Sequence, residues 1–287
     1  CPTQILILMQ ALILAAGLGR RLGEFTAENT KCMLPVNGIR LIDRMLGQLE
    51  RLPLRRIVIV VGYARENLCR HIRKHHPDKN IVFVENPIYD HTNNIYSLWL
   101  ARDLMAQDDT LLLESDLIFE DAVLGAALHS ECRNVALVAN YDTWMDGTMV
   151  KIDDDNNIVN FIPKKAFNYD DTDSYYKTVN IYKFTREFIT DRYLPFLEAY
   201  IKVLGENEYY EQVLRVITLI DSCDLKALPV TGMHWYEIDD VQDLRIAETI
   251  FAPPALRLEK MQKSFGGYWR YSGVLDFCYL VNPYFPR

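Results

Sequence analysis

The stretch LILAAGLGRRLGEFTAENTKCMLPV, residues 12–36, decides how the rest of the chain is read. An apolar run ends in Ala15-Ala16-Gly17, and Gly19 follows two positions later. Glycines after a strand let backbone N–H groups approach phosphate oxygens with no Cβ in the way. Arg21 and Lys31 flank the loop with positive charge, which suits a reaction that builds charge on several oxygens as pyrophosphate departs. The same spacing also makes an ordinary strand–helix turn. It is neither a Walker loop nor a full dinucleotide fingerprint, because Leu22 stands where a third glycine is required.

Outward from this loop, strand-like runs at 11–16, 56–61, 81–84, 110–113 and 134–139 alternate with helical patterns at 39–51, 64–75, 94–105 and 121–129. That alternation predicts an α/β fold with a Rossmann-like, mostly parallel sheet covered by helices on both faces. Ligands of such sheets bind at the carboxyl ends of the strands, so the loops after Ala16, Leu113 and Ile238 are the first candidates. Segments 148–152, 157–161 and 178–184 are β-rich and joined by polar turns, an antiparallel insertion read as a flap over one end of the sheet. Helical patterns return at 186–203 and 209–220, then a strand at 234–238 and a helix at 240–251 with Asp240 as N-cap. Ala252-Pro253-Pro254 breaks that helix and a short basic helix follows. The expected division is a domain over 9–251 and a linker with the opening of another domain over 252–287. Met9 offers a natural start, with residues 1–8 an upstream extension.

Composition narrows the function classes. The 287 residues are 49% hydrophobic with a net charge of -8, which argues against a broad cationic face for nucleic acid. A small anionic ligand needs only a few local cations. No apolar run approaches the roughly 20 residues that span a bilayer, so no membrane role is expected. The six cysteines are scattered without zinc spacing and read as free thiols of a cytoplasmic protein.

Two acidic sites carry candidate metal ligands. In LLLESDLIFED, residues 111–121, an apolar strand ends at Glu114-Ser115-Asp116. In HWYEIDDVQDL, residues 234–244, Glu237 and Asp239 fall on one face of a strand. Mg²⁺ is commonly held by one or two carboxylates plus substrate phosphates, and acids at these places also cap helices.

LAAGLGRRL, at 14–22, with Lys31 and Pro35, resembles the signature of the sugar-phosphate nucleotidyltransferase superfamily, with Thr30 where that pattern has proline. TNNIYSLWLARD (92–103) and WYEIDDVQDLRIAE (235–248) are most similar to its choline-phosphate cytidylyltransferase branch. The resemblance implies that Leu14, Ala15, Ala16, Gly17 and Gly19 hold the nucleotide, with Asn93, Asn94, Ser97 and Glu114 nearby. It implies catalytic roles for Lys31 and Arg21, CTP as donor, and Mg²⁺ on Asp116, Glu237 and Asp239. A lysine of FIPKK, Lys164 or Lys165, is implied to meet the acceptor phosphate.

The tail FGGYWRYSGVLDFCYLVNPYFPR, at 265–287, resembles the opening of aminotransferases of the histidinol-phosphate type. A cytidylyltransferase joined to an aminotransferase resembles the enzymes that make and activate 2-aminoethylphosphonate. Pyridoxal phosphate, and homodimerisation, would belong to that second domain. An ordinary tail is the alternative. For the acceptor amine, Asp142, Asp146 and Glu211, with Tyr176 among the neighbouring tyrosines, are the candidates. The expected reaction is in-line attack by a phosphonate oxygen on the α-phosphorus of CTP, with the flap excluding water. Phosphocholine or a sugar 1-phosphate as acceptor, and a regulatory nucleotide-binding domain, stay open as alternatives.

Overall fold

The computed structural model of the chain describes residues 9–78, 80–220, 224–263 and 270–271. Residues 1–8, expected to be an upstream extension, and most of 265–287, expected to open another domain, lie outside the described residues. β1 (Met9–Ala15) is apolar after Gln10 because both of its faces are covered. Ala11, Ile13 and Ala15 point into one core, and Leu12 and Leu14 into the other. β2 (Pro35–Val36) and β3 (Ile39–Arg40) form a small hairpin, so α1 (Leu41–Leu49) begins two residues later than the pattern suggests. β4 (Leu54–Val61), α2 (Arg65–His75) and β5 (Ile81–Glu85) follow. The helix expected over 94–105 is broken at Ala101 into α3 (Asn94–Leu100) and α4 (Arg102–Met105). Then come β6 (Asp109–Glu114), β7 (Leu117–Phe119) and α5 (Asp121–His129).

The second half is antiparallel at first. β8 (Val135–Asn140), β9 (Met149–Ile152), β10 (Ile158–Ile162) and β11 (Tyr176–Phe184) precede α6 (Arg186–Phe188), a π-helical turn and α7 (Leu194–Leu204). α8 (Glu211–Ile220), β12 (Lys226–Pro229), β13 (Trp235–Glu237), α9 (Val241–Ile250) and α10 (Pro254–Gln262) complete the described elements. α10 packs against α9.

The main sheet runs β10-β9-β11-β6-β1-β4-β5, with β8 and β12 joined beside β11. β6, β1, β4 and β5 are mutually parallel; β11 pairs antiparallel with β6 through Ile181 to Phe184. The β-rich segment is therefore no flap laid over the sheet. Val179, Ile181, Tyr182 and Phe184 of β11 are fully or almost fully buried, and a strand covered on both faces continues a core rather than lidding it. α1, α2 and α5 cover one face, while α3, α7 and α8 cover the other. Among the described residues no helix is long and apolar enough to cross a membrane. Cys32, Cys69 and Cys132 are free thiols.

Candidate active site

The loop after β1 is shaped by two glycines with different tasks. Gly19 sits at φ +62°, a conformation that favours glycine, and a Cβ there would fall 2.8 Å from Cγ of Lys31. The missing side chain therefore lets Lys31 lie across the loop. Gly17 has nothing within 4 Å of the position its Cβ would take, so its backbone faces open space. Thr26 Oγ1 donates to the Gly19 carbonyl at 3.0 Å and ties the loop down. Thr30 adopts φ -71° and ψ 160°, which proline would also adopt; the departure from the proline pattern leaves the backbone path unchanged.

Two strand ends bring the acids to this loop. β7 pairs with β13, placing Glu237 opposite Leu117, and the Ile238 N–H donates to the Asp116 carbonyl at 3.0 Å. Lys31 Nζ then sits between two carboxylates, 2.9 Å from Asp116 Oδ2 and 2.6 Å from Asp239 Oδ1. Arg21 Nη2 reaches the same Asp239 oxygen at 2.7 Å from the exposed rim. Burial works against the Lys31 ammonium, but Asp116 and Asp239 outweigh it and hold its pKa above the ordinary lysine value. Burial likewise works against the Asp239 carboxylate, and Lys31 and Arg21 hold its pKa below the usual range.

Asp116, Glu237 and Asp239 offer oxygens that all lie within 4.8 Å of one another, a spacing one ion can bridge. Asp116 Oδ1 is buried with no hydrogen-bond partner, a free acceptor in a place where an unpaired oxygen is costly. These residues fit a hard divalent cation such as Mg²⁺. Asp240 is kept out of the cluster: it caps α9 in a reciprocal capping box with Asp243.

The cavity over these residues has a volume of about 780 Å³. Its lining includes Leu14, Ala15, Ala16, Gly17, Gly19, Asn93, Asn94, Ser97 and Glu114 from the expected nucleotide set. Asn94 links three elements, donating to Glu114 Oε1 at 3.0 Å and accepting from the Tyr210 N–H at 3.0 Å. Asn93 caps α3, and Ser97 accepts from Asn86, so both also serve the local fold. Burial, then the charges of Asp116, Glu211 and Glu237, push the Glu114 carboxyl well up.

Of the acceptor candidates, Asp146, Lys164, Lys165 and Glu211 line the cavity, whereas Asp142 and Tyr176 do not. Asp142 is exposed and accepts the Thr143 N–H at 2.7 Å, closing its own turn. Tyr176 opens β11 and packs on the large core cluster beneath α7 and α8. Lys164 pairs with Asp146 at 2.8 Å on the rim, and Lys165 is 89% exposed.

Sequence reasoning missed Lys177 and Asn180, both on β11. Lys177 is buried and pairs with Glu237 at 3.1 Å; Asn180 Nδ2 donates to the other Glu237 oxygen at 3.2 Å. Asn180 has φ +59°, and the register with β8 slips between Thr178 and Tyr182. This bulge in mid-strand re-aims side chains toward Glu237. Lys177 and Asn180, near the start and middle of a strand that is aromatic or β-branched apart from them and Lys183, were the available signal.

Comparisons with known proteins agree with this geometry. Residues 11–154 match the family described as MobA-like NTP transferase domain. The chain is 32% identical over 280 residues to a CMP-5'-(3-aminopropyl)phosphonate synthase of Streptomyces rubellomurinus, covering 97% of this chain and 44% of that protein. It is 37% identical over 111 residues to a 2-aminoethylphosphonate cytidylyltransferase of Lancefieldella rimae, covering 39% of this chain and 44% of that protein. The matched segment covers less than half the length of each of these two relatives. The fold is that of a CTP:phosphocholine cytidylyltransferase of Streptococcus pneumoniae, at a TM-score of 0.70 and 23% identity over 86% of this chain and all of that one. The family match takes in half of the chain and starts on the strand that feeds the glycine loop, and the chain belongs to the MobA-like NTP transferase family.

Proposed function

We propose that the chain transfers CMP from CTP to 2-aminoethylphosphonate and releases pyrophosphate. The observation that carries this reading is Lys31, held between Asp116 and Asp239 directly against the Gly17–Gly19 loop. A phosphonate oxygen attacks the α-phosphorus; the new O–P bond forms as the α–β phosphoanhydride bond breaks, and its electron pair leaves with pyrophosphate. The nucleophile is already ionised near neutral pH, so no residue has to act as general base. Asp116, Glu237 and Asp239 are the residues to hold Mg²⁺, which when bound neutralises charge developing on the phosphates. Lys177 and Asn180 orient Glu237 in that set. Lys31 supplies a fixed positive charge and Arg21 a second one at the rim.

The acceptor end favours a primary amine over a trimethylammonium group. An ammonium donates three hydrogen bonds and is best met by carboxylates, whereas trimethylammonium prefers an aromatic cage. The described lining includes Asp146 and Glu211 but, as aromatic residues, only Tyr89 and Tyr209. Trp144, in the acceptor loop, is instead stacked on Tyr236 at 5.2 Å. Glu211 is buried, and its Oε2 has no partner. Burial pushes its carboxyl up to about 7, with Lys177 pulling it down and Glu237 pushing it further up.

The sign of the pH effect follows. Below about 7 Glu211 keeps its proton and offers an ammonium little; above it the carboxylate is available. The ratio of kcat/KM for 2-aminoethylphosphonate to that for phosphocholine should reach tenfold or more at pH 8, about 1.4 kcal/mol. It should shrink at pH 6 by more than the titration of each acceptor's own phosphorus group, followed by phosphorus NMR, accounts for. A tenfold preference for phosphocholine at pH 8 overturns the phosphonate assignment and leaves cytidylyl transfer standing.

A further inference from the structure

The family match ends at residue 154, and the segment from 252 onward reads as a linker. Two of its residues nonetheless reach the back of the site. Tyr271 is buried in a small core with Tyr236, Ile238 and Leu244. Beside it, Arg270 Nη1 donates to Asp243 Oδ1 at 2.7 Å and to the Tyr236 hydroxyl at 3.2 Å. The guanidinium carbon of Arg270 lies 5.3 Å from the centre of the Trp144 ring, and Trp144 stacks on Tyr236 at an interplanar angle of 8°. The second oxygen of Asp243 accepts the N–H groups of Asp239 and Asp240, at 3.0 and 3.1 Å.

We propose that Arg270 is a positioning residue that clamps two loops of the site at once. Through Asp243 it fixes the backbone of Asp239, and through Trp144 it holds the 141–147 loop that carries Asp146. Both members of the Arg270–Asp243 pair are largely shielded from water, where a charge-assisted bond is strong and the loss of one partner costly. Arginine suits the task because its planar edge donates while its face lies over an aromatic ring. Whatever shifts residue 270 shifts Asp239 and the acceptor loop together, so the C-terminal segment is coupled to the transferase centre. The clamp rests on geometry alone; its effect on cation binding rests on the function proposed above.

The test uses the full chain with Arg270→Ala and Arg270→Lys, read by hydrogen–deuterium exchange and by Mn²⁺ binding in the presence of CTP, with Asp239→Ala as reference. Arg270→Ala should speed exchange in 141–147 and 238–243 while β1 and β4 stay protected. Its Mn²⁺ dissociation constant should rise roughly two- to thirtyfold. Arg270→Lys keeps the charge without the planar reach and should fall between; it carries the test if the alanine variant does not fold. Unchanged exchange in both loops, or exchange raised alike across the chain, overturns the clamp. Local loosening with Mn²⁺ affinity unaltered in both Arg270→Ala and Asp239→Ala supports the clamp and removes the metal reading instead.

Discussion

Asp116→Ala and Asp239→Ala are each expected to lower kcat/KM by on the order of 10³-fold or more, the several kcal/mol that a bound cation contributes to charge stabilisation. The two carboxylates arrive from different strands, one following β6 and one following β13, and share Lys31 as their partner. Removing either leaves Lys31 paired with the other, so no buried charge is stranded. The fold should survive, because Asp240 and Asp243, not Asp239, cap α9. Pyrophosphate release by each variant, alongside its thermal melt, checks the expectation. Wild-type turnover in either variant removes that residue from the catalytic set.

Lys31→Ala should reduce kcat by about 10²–10³-fold, comparable to deleting one oxyanion donor, with a smaller change in KM for CTP. Its ammonium is held in place by the fold: Gly19 leaves room for its stem and two carboxylates fix its head. A preorganised charge of this kind acts most on the crowded, charge-rich transition state. Steady-state kinetics with CTP varied at saturating acceptor separates the two constants. Unchanged kcat with a raised KM would make Lys31 a ground-state anchor for the triphosphate.

Much of this centre was legible in the sequence because its parts sit at strand ends. Gly17, Gly19, Glu114, Asp116 and Asp239 each follow or close an apolar run, and α/β topology gathers such ends on one edge of the sheet. Lys31 was legible from its place beyond the loop, although its bridging of two acids was not. That pairing joins residues 85 and 208 positions apart, a separation no local pattern encodes. β11 defeated the reading for a different reason. Its polar residues follow no clean alternation, since the left-handed Asn180 shifts the strand's register and brings Lys177 and Asn180 onto the same acid, Glu237. Asp142 lies outside the cavity lining, its short acidic side chain satisfying its own turn after the strand. Arg270 lies in a segment whose composition announces no core. Only its partners, Asp243, Tyr236 and Trp144, reveal its place.

The most direct test of the central claim is a single incubation series. The protein is mixed with Mg²⁺, 2-aminoethylphosphonate and, in turn, CTP, UTP, GTP or ATP, and both pyrophosphate and the phosphorus NMR spectrum are followed. With CTP, pyrophosphate should appear in step with a new phosphonate–phosphate anhydride, and the other three triphosphates should react far more slowly. Faster reaction with another triphosphate, or no anhydride with any of them, contradicts the account.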